Sequence, residues 1–309
     1  MMVTGRAHVD VHASDHTNND AGSCPKQSFL PDGLVAMSRI AYQHTPLTTE
    51  KRGQGVFVFR GAGGNVTAIA GSDGCAVIDT GYGPRVDEMK HGIASALSQI
   101  PDWLVNTHWH FDHTDGNQAF VAAGATILAP TNCRVRLAHD QSVPSLAWAV
   151  EASPRIAWPT ITIDGPGAIE LGLETLQFIP QSAAHTDGDL AMFLPSSNVL
   201  ITGDLFINGS YPLIDASAGG TLRGMIEALA RLTSMANTDT MVVPGHGPVA
   251  DRHALVQCHD MLQRIEERIR SLINTRLTVS EVIDASPTAE FDSTWGKGYV
   301  TGVHCTRMV

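Results

Sequence analysis

The run Thr107-His108-Trp109-His110-Phe111-Asp112-His113 packs three imidazoles and a carboxylate into six consecutive positions, and few folds can accommodate such a group. It follows the apolar segment WLVNTH, so it falls where a strand ends and a loop begins. In extended backbone, residues two apart project to the same face, which lets His108 and His110 converge on one point. A turn after them swings Asp112 and His113 round to a second point. If these side chains were only structural, each would need its own hydrogen-bonding partner, because a buried polar group without one is costly. A shared cation removes that need.

Three more residues occupy the same kind of place, at the end of an apolar strand and beside glycine: His185 in SAAHTDGD, Asp204 in VLITGDLF and His246 in MVVPGHGP. Imidazole and carboxylate donors without thiolate suit Zn²⁺ or a similar first-row ion. On this reading His108, His110 and His185 hold one ion, Asp112, His113 and His246 hold a second, and Asp204 bridges them.

The rest of the chain is consistent with a globular host for such a site. It has 309 residues, 43% hydrophobic and 17% charged, with a net charge of −11, which is ample for a core and argues against disorder as the main state. The acidic balance disfavours nucleic acid or anionic lipid as a partner and leaves a small molecule as the expected substrate. Five cysteines without a C-x-x-C pair read as reduced thiols, and no apolar run approaches membrane-spanning length. The polar N-terminus carries no apolar leader core, so a cytoplasmic location is expected. Residues 1–27 read as a flexible arm in which His8, Asp10, His12 and His16 are solvated.

From Val56 onward, short apolar runs bounded by glycine (GVFVFRG, NVTAIAG, CAVIDTG) predict strands. Pro84 opens a helix carrying Val86, Met89, Ile93 and Leu97 at helical spacing and stopped by Pro101, and WLVNTH and ATILAP continue a β-α-β-α-β order. The stretch 140–160, with three prolines and two tryptophans, predicts an irregular segment, either a loop that packs over a site or a surface connection with buried aromatics. Strands TITID, AIEL, TLQFIP, LAMFLP and NVLITGD follow, then a helix over 221–234 and the strand TMVVPG. Residues from about 251 to 309 read as C-terminal helices of a single domain spanning 28–309. Two β layers between outer helices are the expected arrangement.

HWHFDH followed by His185, Asp204 and His246 resembles the metallo-β-lactamase superfamily pattern H-x-H-x-D-H…H…D…H, complete over roughly residues 54–250. The resemblance implies an α/β, four-layer αβ/βα sandwich with two zinc ions at the edge of the sheets. It also implies hydrolysis of an ester, lactone, thioester or lactam bond of a small molecule by metal-bound hydroxide, with Asp112 or a metal-bound water giving a proton to the leaving atom. The GHG segment and the aspartate at the bridging position look more like the hydroxyacylglutathione hydrolase (glyoxalase II) and lactonase branches than the true β-lactamases. The C-terminal helices do not match the glutathione-binding part of glyoxalase II. Asp79 matches the family's early aspartate and is expected to accept from a ligand imidazole, a role for which Asp187 and Asp189 are further candidates. Tyr211, seven residues after Asp204, is expected to offer its phenol to a substrate oxyanion, as tyrosines do in some lactonases. A mononuclear iron sulfur dioxygenase and a small-substrate phosphodiesterase are the alternatives within the same superfamily. Oligomeric state is not readable.

Overall fold

In the computed structural model, which describes residues 44–53, 55–144 and 148–308, the glycine-bounded apolar runs form strands. The expected N-terminal arm lies outside the described residues, as does Cys24. One sheet begins with β1 (Thr48–Arg52), β2 (Val56–Arg60), β3 (Val66–Ile69), β4 (Ala76–Ile78), β5 (Trp103–Val105) and β6 (Thr126–Pro130). A separate hairpin of β7 (Gln141–Val143) and β8 (Trp148–Val150) follows, and β9 (Ile161–Ile163) then completes that sheet beside β6. The pairs from β1 to β4 are antiparallel, whereas β4, β5, β6 and β9 run parallel. The second sheet holds β10 (Gly167–Glu170), β11 (Thr175–Gln181), β12 (Asp189–Leu194), β13 (Val199–Ile207), β14 (Met241–His246) and β15 (Ala250–Asp251) in sequential order. Only the β13–β14 pair in it is parallel.

The inner strands are largely apolar on both faces because both faces are covered, whereas the edge strands β1 and β10 stay mostly exposed. Ala76, Ile78, Val105 and Leu128 of the first sheet meet Leu176, Leu190, Met192 and Ile201 of the second in a central core. The alternate residues Val77, Leu104 and Ile127 turn outward onto Met89, Ile93 and Phe120. On the far side, Ile179, Ala191, Leu200 and Val242 of the second sheet pack under the helices Leu222–Met235 and Arg252–Asn274. The result is the expected sandwich, helix, sheet, sheet, helix.

The helices start where capping chemistry allows. Thr221 accepts from Gly224 N–H and Asp251 from Ala254 N–H, each satisfying a donor that a helix start leaves unpaired. The longer helix buries Leu255, Cys258, Met261, Leu262, Ile265 and Ile269, each contributing about 1.5–3 kcal/mol if an apolar side chain is fully withdrawn from water. The helix Val86–Leu97 ends earlier than Pro101 suggests, because Ser98 turns left-handed at φ 58°. The stretch 140–160 is less irregular than expected, since β7 and β8 pair across it. No helix among the described residues is long and apolar enough to cross a membrane.

Candidate metal centre

All seven candidate ligands lie at one end of the two sheets. The run Thr107–His113 leaves β5 and closes into a single helical turn, Phe111–Thr114, so His110 stands at its start and Asp112 and His113 within it. Its backbone is pinned on several sides. Thr107 N–H and Oγ1–H donate to Asp79 at 2.8 and 2.7 Å. Gly64 N–H donates to Asp112 O at 3.0 Å, Thr80 N–H to His113 O at 2.8 Å and Leu190 N–H to Thr107 O at 2.8 Å. His185 lies in the turn between β11 and β12, Asp204 within β13 and His246 at the last position of β14.

Glycine permits the approach of β13 and β14 to this loop. Gly203, at φ 52°, sits at an irregularity in the β13–β14 register, and a Cβ on it would lie 2.6 Å from Thr107 Cβ. A Cβ on Gly245 would fall 1.9 Å from Asp204 Oδ1. Both positions therefore exclude any side chain.

The donor atoms gather into two adjacent groups. His108, His110, His185 and Asp204 each offer one ligand atom within 4.8 Å of the others, and Asp112, His113 and His246 do the same. His185 Nδ1–H donates to Leu213 O at 2.8 Å and His110 Nε2–H to Asp215 Oδ2 at 3.1 Å. In their neutral forms the remaining nitrogens, His185 Nε2 and His110 Nδ1, then face each other at 2.9 Å with lone pair toward lone pair. In the other group His113 Nδ1–H donates to Asp79 Oδ2 at 2.8 Å, and its Nε2 lies 3.3 Å from His246 Nε2. His108 Nε2 is buried with no hydrogen-bond partner, and Asp204 Oδ1 is buried without one although it lies 3.2 Å from His113 Nε2. Facing lone pairs and orphaned acceptors are costly unless a cation sits among them, so the donor set fits divalent metal. Zinc bonds of about 2.0–2.2 Å in tetrahedral geometry set neighbouring ligand atoms roughly 3.3 Å apart, close to these spacings.

The electrostatics agree. Burial opposes charge on His113, yet Asp204, Asp112 and Asp79 raise it well above the usual histidine range. His246, its side chain 31% exposed, is pushed up to about 10 by Asp204 and by its hydrogen bond with Asp112, against the effect of burial. Burial would raise Asp112, but the charge on His113 and the hydrogen bond from His246 hold it at about 2. His108 is driven well below the usual range and His185 down to about 4, mainly by burial and then by neighbouring imidazoles. One group thus presents neutral lone pairs, whereas the other keeps protons that a dication would replace.

Asp79 accepts from Nδ1 of His113, a candidate ligand, and holds φ at +60°, a left-handed conformation that its three hydrogen bonds oppose releasing. Asp187 and Asp189 do not serve this way: Asp187 pairs with Arg136 at 2.6 Å, and Asp189 accepts from Thr186 N–H and Oγ1–H. The partner the sequence misses is Asp215, fully buried and bonded to His110. Tyr211 is not among the groups brought together. Its hydroxyl reaches Asp292 Oδ1 at 2.8 Å and Thr288 O at 3.2 Å, in the C-terminal helical region. Of the loops flanking the site, the β7–β8 hairpin places the Trp148 ring 5.9 Å from the His110 ring.

Residues 60–246 match the family model described as the metallo-beta-lactamase superfamily. A hydroxyacylglutathione hydrolase of Rhodospirillum rubrum is 30% identical over 175 residues, covering 56% of this chain and 57% of that protein. The chain therefore spans little more than half of that relative's length. Among solved structures, a metallo-beta-lactamase from Pontibacter korlensis superposes with a TM-score of 0.57 at 22% identity, over 71% of this chain and 99% of that one. The sec-alkylsulfatase Pisa1 from Pseudomonas sp. gives 0.59 at 18% identity, over 77% and 45%. At these identities the structures speak for the fold.

Proposed function

Because this chain belongs to the metallo-beta-lactamase superfamily, we propose that it is a hydrolase that holds two zinc ions and cleaves an ester, lactone, thioester or lactam bond of a small molecule. The observation that carries this reading is the convergence of seven donors into two adjacent groups, in one of which His108 Nε2 has no partner and His185 Nε2 and His110 Nδ1 face each other. His108, His110 and His185 would hold one ion, Asp112, His113 and His246 the other, with Asp204 between them. Bound there, such ions supply Lewis acidity and bring the pKa of water toward neutrality.

The chain's own groups do the remaining work. Asp79 and Asp215 fix which nitrogen of His113 and of His110 faces inward, so the rings need not reorient during turnover. Asp112 would take the proton that the attacking water loses and return it to the departing oxygen, sulfur or nitrogen. The name of the Rhodospirillum rubrum relative supports a thioester among the candidate substrates. The net charge of −11 favours a small substrate over a nucleic acid polymer. The four described cysteines, all buried and free, support a reducing compartment such as the cytoplasm.

A panel of lactones, thioesters, aryl esters and β-lactams, run on zinc-loaded protein with a chelator control, tests the proposal. Chelator-sensitive hydrolysis of at least one class is expected. No hydrolysis, with bound iron and oxygen consumption instead, would overturn it.

A further inference from the structure

An aromatic run leads from the donor cluster toward solvent. The Tyr82 and Phe111 rings lie 5.6 Å apart, and Phe111 meets Trp148 edge-on at 5.2 Å. Trp148 in turn stands edge-on to His110 at 5.9 Å. Tyr299 covers Trp148 at 5.9 Å with the ring planes 32° apart. Tyr82, Phe111 and Trp148 are each less than 10% exposed, whereas Tyr299 is 50% exposed. The run therefore passes from core to solvent beside the imidazoles and ends in an open aromatic face.

Tyr299 is held in that position. It lies between the helices Ala289–Trp295 and Gly302–Met308. This segment is docked on the loop that follows β13, where Tyr211 N–H donates to Trp295 O at 2.8 Å. Gly298 approaches so closely that a Cβ there would lie 2.4 Å from Ser210 Cβ.

We infer that Trp148 and Tyr299 form the subsite for the acyl portion of the substrate, selecting acyl groups that carry a flat or extended apolar tail near the scissile carbonyl. The inference rests on the hydrolase reading above and adds the class of substrate. Aromatic faces beside a polar reaction centre bind such tails by burying apolar area, here against the half-exposed Tyr299 ring backed by Trp148.

The test is calorimetry on the zinc-loaded full chain with 4-phenylbutyrate and with acetate, two carboxylates that differ only in the tail. The wild type is expected to bind phenylbutyrate about tenfold more tightly or better, as burial of a ring at such a face implies. Tyr299→Ala should reduce that preference to about threefold or less, while Tyr299→Phe, which keeps the ring face, should retain it. Equal affinities for the two acids in the wild type, a measurement that needs no variant to fold, would overturn the inference. So would an undiminished preference in a folded Tyr299→Ala protein. The matching aryl esters separate this result from the parent reading. Turnover without tail preference refutes only the subsite, and tail preference without turnover of any ester, lactone, thioester or lactam refutes only the hydrolase.

Discussion

Asp79→Asn should weaken one metal position and spare the other. The Asp79 carboxylate is 1% exposed and takes hydrogen bonds from Thr107 N, Thr107 Oγ1 and His113 Nδ1 at 2.7–2.8 Å. Asparagine keeps the shape and one acceptor, so Thr107 N–H can stay satisfied. Its amide nitrogen can donate to the Thr107 hydroxyl oxygen, which rotates to accept, but it also faces the His113 imidazole N–H, where donor meets donor. A hydrogen bond to a charged partner contributes about 1.5–3 kcal/mol. Losing such a partner of a ligand imidazole lowers metal affinity by about 10–100-fold, which is the same energy. The loss should fall on the position formed by Asp112, His113 and His246. Asp215→Asn should instead weaken the position that includes His110, and by about 10-fold, the low end of the range, because its bond is longer at 3.1 Å. Ser217 and Ala218 also hold Asp215 and will keep the amide in place. Competition with a chromogenic chelator resolves the two stepwise zinc constants, and urea melts show that each variant folds. If both variants weaken the same step, or neither weakens any step by more than about threefold, then the outer carboxylates do not set the grip of the rings.

Other outcomes follow from the same geometry. His110→Ala and Asp112→Ala should abolish turnover while the chain stays folded, as circular dichroism and an activity assay will show; full activity in either contradicts the ligand set. Tyr211→Phe should cost about 1 kcal/mol in urea denaturation, the usual worth of one hydroxyl hydrogen bond, and change turnover by less than about threefold, because its partners are Asp292 and Thr288. Gly245→Ala places a methyl 1.9 Å from Asp204 Oδ1, so loss of zinc binding and a penalty of about 1–3 kcal/mol are expected. Metal uptake should release protons. His113 lies well above its ordinary pKa and His246 near 10, so both are protonated at pH 7 in stripped protein and must lose the proton to become ligands. Zinc affinity should therefore rise with pH from 6 to 9, and calorimetry in buffers of different ionisation enthalpy will count the protons. A pH-independent affinity contradicts the assignment.

Six of the candidate donors are legible in the sequence because they follow or end an apolar strand, and strand ends in a layered α/β fold share one edge; Asp204 departs from that expectation, lying inside β13 next to Gly203, where the β13–β14 register breaks. The orientation of the rings is not legible. Asp215 is 105 residues from His110, and nothing local in SYPLIDASAG distinguishes it from a turn-forming aspartate. Tyr211 misleads for a related reason. Spacing from Asp204 says nothing about direction, and after Asn208 N–H bonds to His246 O the chain carries Tyr211 into the C-terminal helical region. The β7–β8 hairpin has three residues per strand and Pro144 between them, too short a pattern to show alternation. Its long-range contacts, Trp148 against His110, Phe111 and Tyr299, appear only when the chain is folded.

Zinc titration of the chelator-stripped full chain, with turnover followed at every addition, tests the central claim most directly. Hydrolysis of an ester, lactone, thioester or lactam that rises until two equivalents are bound, and then stops rising, is the result predicted from two adjacent donor groups. Saturation at a single equivalent, or turnover that appears only with iron and consumes oxygen, would contradict it.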